Sequence, residues 1–249
     1  MSLNQVVVGI LPTSKIFIDD DPYNDRYMFY NVYTKRIFEA GGIPVGILLS
    51  DGKLNISSLE MCDAFLICGG QKIEPYLFEV ISYAIASNKP LLGICMGMQS
   101  IGVYSFIEEL LTSENRAVNK KNIYMMYDRI RNDNVMFLND VNNHYNCEVT
   151  RENFSNVRHF VDIKKDSKLY SIFKTEKLGV LSMHHHCLNK YGKNVMINCF
   201  AGDVIEGLEY KRRDLCILGI QWHPELEKNT SIIFSYLINA AKKRKDSLG

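Results

Sequence analysis

A cysteine sits between two glycines in Gly93-Ile94-Cys95-Met96-Gly97-Met98-Gln99. The short apolar run before it, residues 90–94, predicts a buried strand, and the residues from Gln99 onward predict a helix. Glycines two positions to either side of a nucleophile let the chain turn sharply from strand to helix, the spacing of a nucleophile elbow, here with a thiol in place of a hydroxyl. Such a turn leaves Cys95 at the mouth of a sheet and the N-terminus of a helix, where dipole and unpaired N–H groups favour a thiolate. A lone cysteine after a buried strand is more often a packing residue. The flanking glycines turn the reading toward a nucleophile.

A thiol nucleophile needs a base, and the base needs a group to orient it. Gly219-Ile220-Gln221-Trp222-His223-Pro224-Glu225 offers both at the end of another strand-like run, residues 215–220. In an extended chain His223 and Glu225, at i and i+2, project to one side, and Pro224 stiffens that geometry. Thiol, imidazole and carboxylate together point to acyl transfer through a thioester.

These two stretches resemble the signatures of the class I glutamine amidotransferase superfamily, Gly-x-Cys-x-Gly-x-Gln followed by His-Pro-Glu. Within it the chain is most similar to the γ-glutamyl-γ-aminobutyrate hydrolase type, peptidase family C26. Further marks are Phe38-Glu39-Ala40-Gly41-Gly42-Ile43-Pro44, Ser182-Met183-His184-His185-His186 and Val204-Ile205-Glu206-Gly207-Leu208-Glu209. The likeness covers nearly the whole chain and fades between about 105 and 157. It implies Cys95 as nucleophile, His223 as base and proton donor, and Glu225 as its orienter. It implies an oxyanion hole from the N–H groups of Gly70, second glycine of the Gly69-Gly70 pair, and of Met96. It places Gln99 and the His184-His185-His186 loop at the glutamyl pocket. Relatives usually carry Asn-Ser-x-His-His-Gln in that loop, so Leu181 and His186 depart from the pattern and leave the leaving amine open. No cofactor is implied.

Strands are predicted over residues 6–11, 44–49 and 64–68, with a helix over 26–40 between the first two and another over 75–87 after the third. Gly41-Gly42 stops the first helix. This alternation predicts an α/β fold: a doubly wound, mostly parallel three-layer sheet of flavodoxin-like character. Gly70 and Cys95 then both fall at carboxyl ends of strands, where sites of such sheets lie. Strands at 157–163, 178–183, 195–200 and 204–209 are expected to add antiparallel character to the C-terminal half, before a last helix over 230–241. Residues 1–249 read as one domain. Eleven asparagines crowd residues 112–156, which favours turns over helix interiors. Either an irregular flap near the site or a plain surface insertion fits there. Asp19-Asp20-Asp21-Pro22 reads as a solvated loop.

The net charge of +1 gives no electrostatic case for nucleic acid or an anionic membrane. No signal peptide or membrane span is expected. Seven cysteines without a C-x-x-C pair suit a reducing cytoplasm rather than disulfides or zinc. Three consecutive histidines in extended chain point to alternate faces, which disfavours a shared metal. The partner expected is a small γ-glutamyl substrate, and a homodimer is allowed. Two working classes follow: a stand-alone γ-glutamyl amide hydrolase, or a glutaminase subunit feeding ammonia to a synthase. The complete Cys-His-Glu set disfavours an idle binding module. In the hydrolase reading, His186, Tyr104 and the Asn-rich stretch are placed to line the amine side.

Overall fold

The computed structural model describes residues 5–16, 26–133, 136–140 and 157–247. Nine strands form the central sheet: β1 (Val7–Ile10), β2 (Ile43–Gly46), β3 (Ala64–Ile67), β4 (Leu91–Ile94), β5 (Arg158–Ile163), β6 (Lys177–Leu181), β7 (Val195–Ala201), β8 (Val204–Tyr210) and β9 (Ile217–Ile220). Their order is β6-β5-β7-β8-β9-β4-β3-β1-β2. From β9 to β2 all neighbours are parallel, and from β9 to β6 all are antiparallel. β3, β4 and β9 are buried at every residue. They read as unbroken apolar runs because strands of a parallel sheet are covered on both faces.

The described residues form seven helices: α1 (Asn31–Glu39), α2 (Ile56–Glu60), α3 (Tyr76–Ser87), α4 (Met96–Ser113), α5 (Lys120–Asn132), α6 (Lys168–Phe173) and α7 (Ile232–Asp246). Two separate apolar clusters result, one drawing on α2, α3, α4 and α5 and the other on α1, α6 and α7. The molecule is the expected doubly wound three-layer α/β fold with an antiparallel extension. No described helix is long and apolar enough to cross a membrane, and the six described cysteines are free thiols.

Two expectations change. The helix expected over 26–40 begins only at Asn31, because Arg26–Met28 pairs antiparallel with Ser14–Ile16. Sheet pairing there overrides helical periodicity. Gly41, at φ +86°, ends α1 as expected. The stretch 112–156, read as irregular or as a surface insertion, instead contains α5. The Asn119 side chain accepts from Asn122 N–H at 3.0 Å and caps the helix. Arg129 and Arg131 lie in its last turn, where cations suit the dipole. Its Ile123, Met126, Tyr127 and Ile130 are buried. Leu138–Asp140 then pairs with His186–Leu188. The Asp19-Asp20-Asp21-Pro22 run and residues 134–135 and 141–156 lie outside the described residues.

Candidate active site

Cys95 links β4 to α4 with φ +53° and ψ −110°. That conformation is sparsely populated for a side-chain-bearing residue and is the kind of local strain that sites retain. Backbone contacts enforce it. A Cβ on Gly97 would lie 2.2 Å from the Ile67 carbonyl oxygen, and one on Gly93 would lie 2.6 Å from the Gly97 carbonyl. The start of α4 therefore presses directly on β3 and β4, and only glycine fits at both points. The Cys95 N–H donates to the Ile220 carbonyl at 2.8 Å, tying the elbow to β9.

That tie explains how His223 reaches Cys95. β9 lies parallel to β4 with Ile220 opposite Ile94, so the residues that follow each strand meet at the same sheet edge. The His223 N–H donates to the Leu181 carbonyl at 3.2 Å, and its Nδ1 lies 2.6 Å from Glu225 Oε1. Residues 223–225 are not extended as expected. Pro224–Leu226 forms a 3-10 turn with Pro224 at its start, and this turn carries the carboxylate back onto the imidazole. Cys95, His223 and Glu225 are all buried. Burial pulls the His223 pKa down, but the Glu225 carboxylate and the Cys95 sulfur outweigh it and hold the imidazole well above its ordinary 6.5.

Gly69 is the point on which the groups converge. A Cβ there would lie 3.0 Å from His223 Cε1, 3.1 Å from Tyr33 Oη and 3.4 Å from Cys95 Cβ. The Gly69 N–H donates to Tyr33 Oη at 3.0 Å. Gly70 packs on Thr13 and on the Met96 side chain: an added Cβ would lie 2.4 Å from the Thr13 carbonyl oxygen and 3.0 Å from Met96 Cε. Gly70 and Met96 thus lie side by side next to Cys95. A cavity of about 870 Å³ opens here, lined by every residue singled out from the sequence: Gly70, Cys95, Met96, Gln99, His184, His185, His186, His223 and Glu225. Tyr104 is the exception. It is buried beside the Phe78 ring and does not line the cavity.

The side chains of the histidine loop meet different surroundings. His186 Nε2 lies 3.2 Å from Asp140 at the surface. Its carbonyl accepts from Gln99 Nε2 at 3.0 Å, and Gln99 also donates to Gln221 Oε1 at 3.1 Å. His184 faces inward, with Nδ1 3.1 Å from the His186 carbonyl and Nε2 3.2 Å from Glu206 Oε1. His159 Nε2 lies 3.2 Å from the same Glu206 oxygen. Burial raises the Glu206 pKa, but hydrogen bonds and charge from His159 and His184 outweigh it and hold the carboxyl below its ordinary range. Among the described residues no His, Cys, Asp or Glu group is arranged to hold a metal ion.

Sequence reasoning missed several of these supports. Tyr33 lies within the helix expected over 26–40, and a tyrosine there carries no signal beyond packing. Arg36, whose Nε donates to the Glu225 carbonyl at 2.8 Å, carried no signal. Glu206 did: it is a carboxylate inside a strand-like run, and such a group needs partners when buried.

A family model described as Peptidase C26 matches residues 6–82 and 76–225. The chain belongs to the Peptidase C26 family. With that membership come the class I glutamine amidotransferase superfamily and its class of reaction, hydrolysis of the glutamine-amide C–N bond. Among curated proteins, protein NtpR of Enterococcus hirae is 24% identical over 80% of this chain and 82% of its own. Among solved structures, the glutaminase domain of Trypanosoma brucei CTPS with bound acivicin superposes with a TM-score of 0.66. It is 14% identical and covers 96% of this chain and 94% of its own. A glutamine amidotransferase of Thermotoga maritima gives a TM-score of 0.55 at 15% identity, over 97% of this chain and 86% of its own. The two solved structures share the fold just described.

Proposed function

We propose that this C26 chain is a cysteine-dependent hydrolase of γ-glutamyl amides, acting as one domain in the reducing cytoplasm. The observation that carries the reading is the 2.6 Å His223–Glu225 contact at the sheet edge that holds Cys95 in a strained elbow. The Cys95 sulfur attacks the δ-carbonyl carbon, forming a C–S bond, and the carbonyl electron pair moves onto oxygen. The Gly70 and Met96 N–H groups stabilise that oxyanion, each donor contributing about 3 kcal/mol to lowering the barrier. His223, held protonated by Glu225, gives its proton to the nitrogen as the C–N bond breaks. The amine leaves a glutamyl thioester. Water, deprotonated by the now neutral His223, attacks the thioester, and glutamate departs as Cys95 is restored. Gln99 and the loop of His184, His185 and His186 shape the glutamyl half of the pocket.

A second reading is favoured by the likeness to a CTPS glutaminase domain: a glutaminase subunit that passes ammonia to a synthase. Steady-state rates of the purified chain alone separate the two. We expect a γ-glutamyl amide of a larger primary amine to exceed glutamine by at least about tenfold in kcat/KM, roughly 1.4 kcal/mol of transition-state binding. Glutamine as the best substrate of the panel, or turnover only after a second protein is added, moves the chain to the ammonia-donor class.

A further inference from the structure

We propose that the amine released is an apolar, ring-bearing primary amine, seated against the wall that Ile73, Tyr127, Phe137 and Leu138 present to the Cys95 cavity. The proposal deepens the γ-glutamyl hydrolase reading and rests on it. Size is the first argument. At about 870 Å³ the cavity lies high in the range of sites that enclose drug-sized ligands, roughly 300–1,000 Å³. Glutamine alone leaves much of it empty.

The lining then divides by chemistry. A glutamyl group ends in an ammonium and a carboxylate, and both need polar partners. The histidine loop, Gln99 and Gln71 supply polar groups in the lining. The wall of Ile73, Tyr127, Phe137 and Leu138 has nothing to offer those charges, so it is left to the amine. It is also built in advance. Tyr127 Oη is spent on the Ile73 carbonyl at 3.1 Å. The Tyr127 ring packs edge-on against Phe78, with centroids 4.9 Å apart at 74°, and lies 6.1 Å from the Phe137 ring. The Phe137 carbonyl accepts from the Asn189 N–H at 2.9 Å, and Leu138 pairs with Leu188. Aromatic groups fixed in this way favour ring partners in stacked or edge-on contact.

Charge argues against polar amines. Among the described lining residues the one carboxylate is Glu225, committed to His223. A diamine's second ammonium therefore finds no free anion there. The one lysine or arginine is Lys72, whose Nζ lies 3.0 Å from Glu74. An amino-acid amine has to displace that carboxylate first.

The test compares the isolated full chain on γ-glutamyl benzylamide and γ-glutamyl anilide with γ-glutamyl-4-aminobutyrate, γ-glutamylputrescine and glutamine. The ring-bearing amides are expected to lead the polar ones by at least about tenfold in kcat/KM. Phe137→Ala is expected to cut the ratio of benzylamide to glutamine turnover at least about fivefold, and Phe137→Leu to restore most of it. Should Phe137→Ala fail to fold, Leu138→Ala carries the same ratio test. A lead for either polar conjugate, or a ratio unchanged by the variants, overturns the amine assignment and leaves the hydrolase standing, whereas a lead for glutamine overturns both and moves the chain to the ammonia-donor class. No turnover of any γ-glutamyl amide removes the hydrolase reading and this proposal with it.

Discussion

At the scale of single residues, the assignment stands on Cys95, His223 and Glu225, and each has its own signature. Cys95→Ala is expected to abolish turnover with little change in melting temperature. Iodoacetamide is expected to label Cys95 before the other cysteines. Burial raises the thiols of Cys68 and Cys199, which leaves them poor competitors for alkylation. A different thiol labelled first, with a full rate from Cys95→Ala, removes the mechanism. His223→Asn is expected to be as damaging as loss of Cys95, whereas Glu225→Gln keeps the imidazole in place by packing and costs less. The Glu225 variant makes a sharper statement about pH. The folded-state pKa of His223 is raised above 6.5, chiefly through Glu225 acting against burial. The stability it contributes is therefore complete below pH 6.5 and is lost as pH rises through the raised value. In the proposed mechanism the proton for the leaving amine is lost over the same interval. Glu225→Gln should move the alkaline limb of kcat/KM to lower pH, and an unmoved limb shows that another group sets it.

At the scale of elements, the turn between β4 and α4 is where local strain and packing meet. Gly97→Ala places a methyl group 2.2 Å from the Ile67 carbonyl oxygen, a backbone atom of β3 that cannot rotate away. Overpacking of this kind costs about 1–3 kcal/mol. The displacement falls next to the strained Cys95. Activity is thus expected to drop by more than tenfold, alongside a lower denaturation midpoint. A variant of wild-type rate means that α4 can shift without disturbing the nucleophile. The histidine loop depends on packing in another way: Glu206 holds His184, His184 meets the His186 carbonyl, and that carbonyl receives Gln99. A carboxylate on β8 thereby sets a pocket wall formed by a loop and by α4.

At the scale of the whole molecule, α5 is the element whose role changes most from the sequence reading. The Asn-rich region in which it lies invites removal as a surface flap. Yet Ile123, Met126, Tyr127 and Ile130 are buried, and fully burying four such side chains contributes roughly 6–12 kcal/mol as an upper estimate. That is comparable with the entire stability of a domain. Deleting residues 114–133 is expected to abolish cooperative thermal unfolding rather than simply widen the pocket. Calorimetry of the deleted chain is the check, and a sharp native-like transition contradicts the packing role. The same helix reaches the cavity through Tyr127, so core and cavity wall are one structure here.

What the sequence determined by itself was local and periodic. Unbroken apolar runs marked β3, β4 and β9, and glycines at fixed offsets marked the elbow around Cys95. The His-Pro-Glu order announced the partner imidazole and carboxylate. These signals depend on neighbours in the chain, which is why they survive without a fold. The turn at Pro224–Leu226, the start of α1 at Asn31 and the packing of α5 were decided only by tertiary contacts. In each, the winning interaction joins residues far apart in sequence: Glu225 with Arg36, Arg26–Met28 with Ser14–Ile16, and Tyr127 with Ile73 and Phe78. Tyr104, expected at the pocket from its place on α4, turned into the core because the rotation of a helix about its axis is set by what it packs against. The clasp of His159 and His184 on Glu206 likewise needed three separate segments to meet, and a buried carboxylate keeps its charge only where partners converge on it.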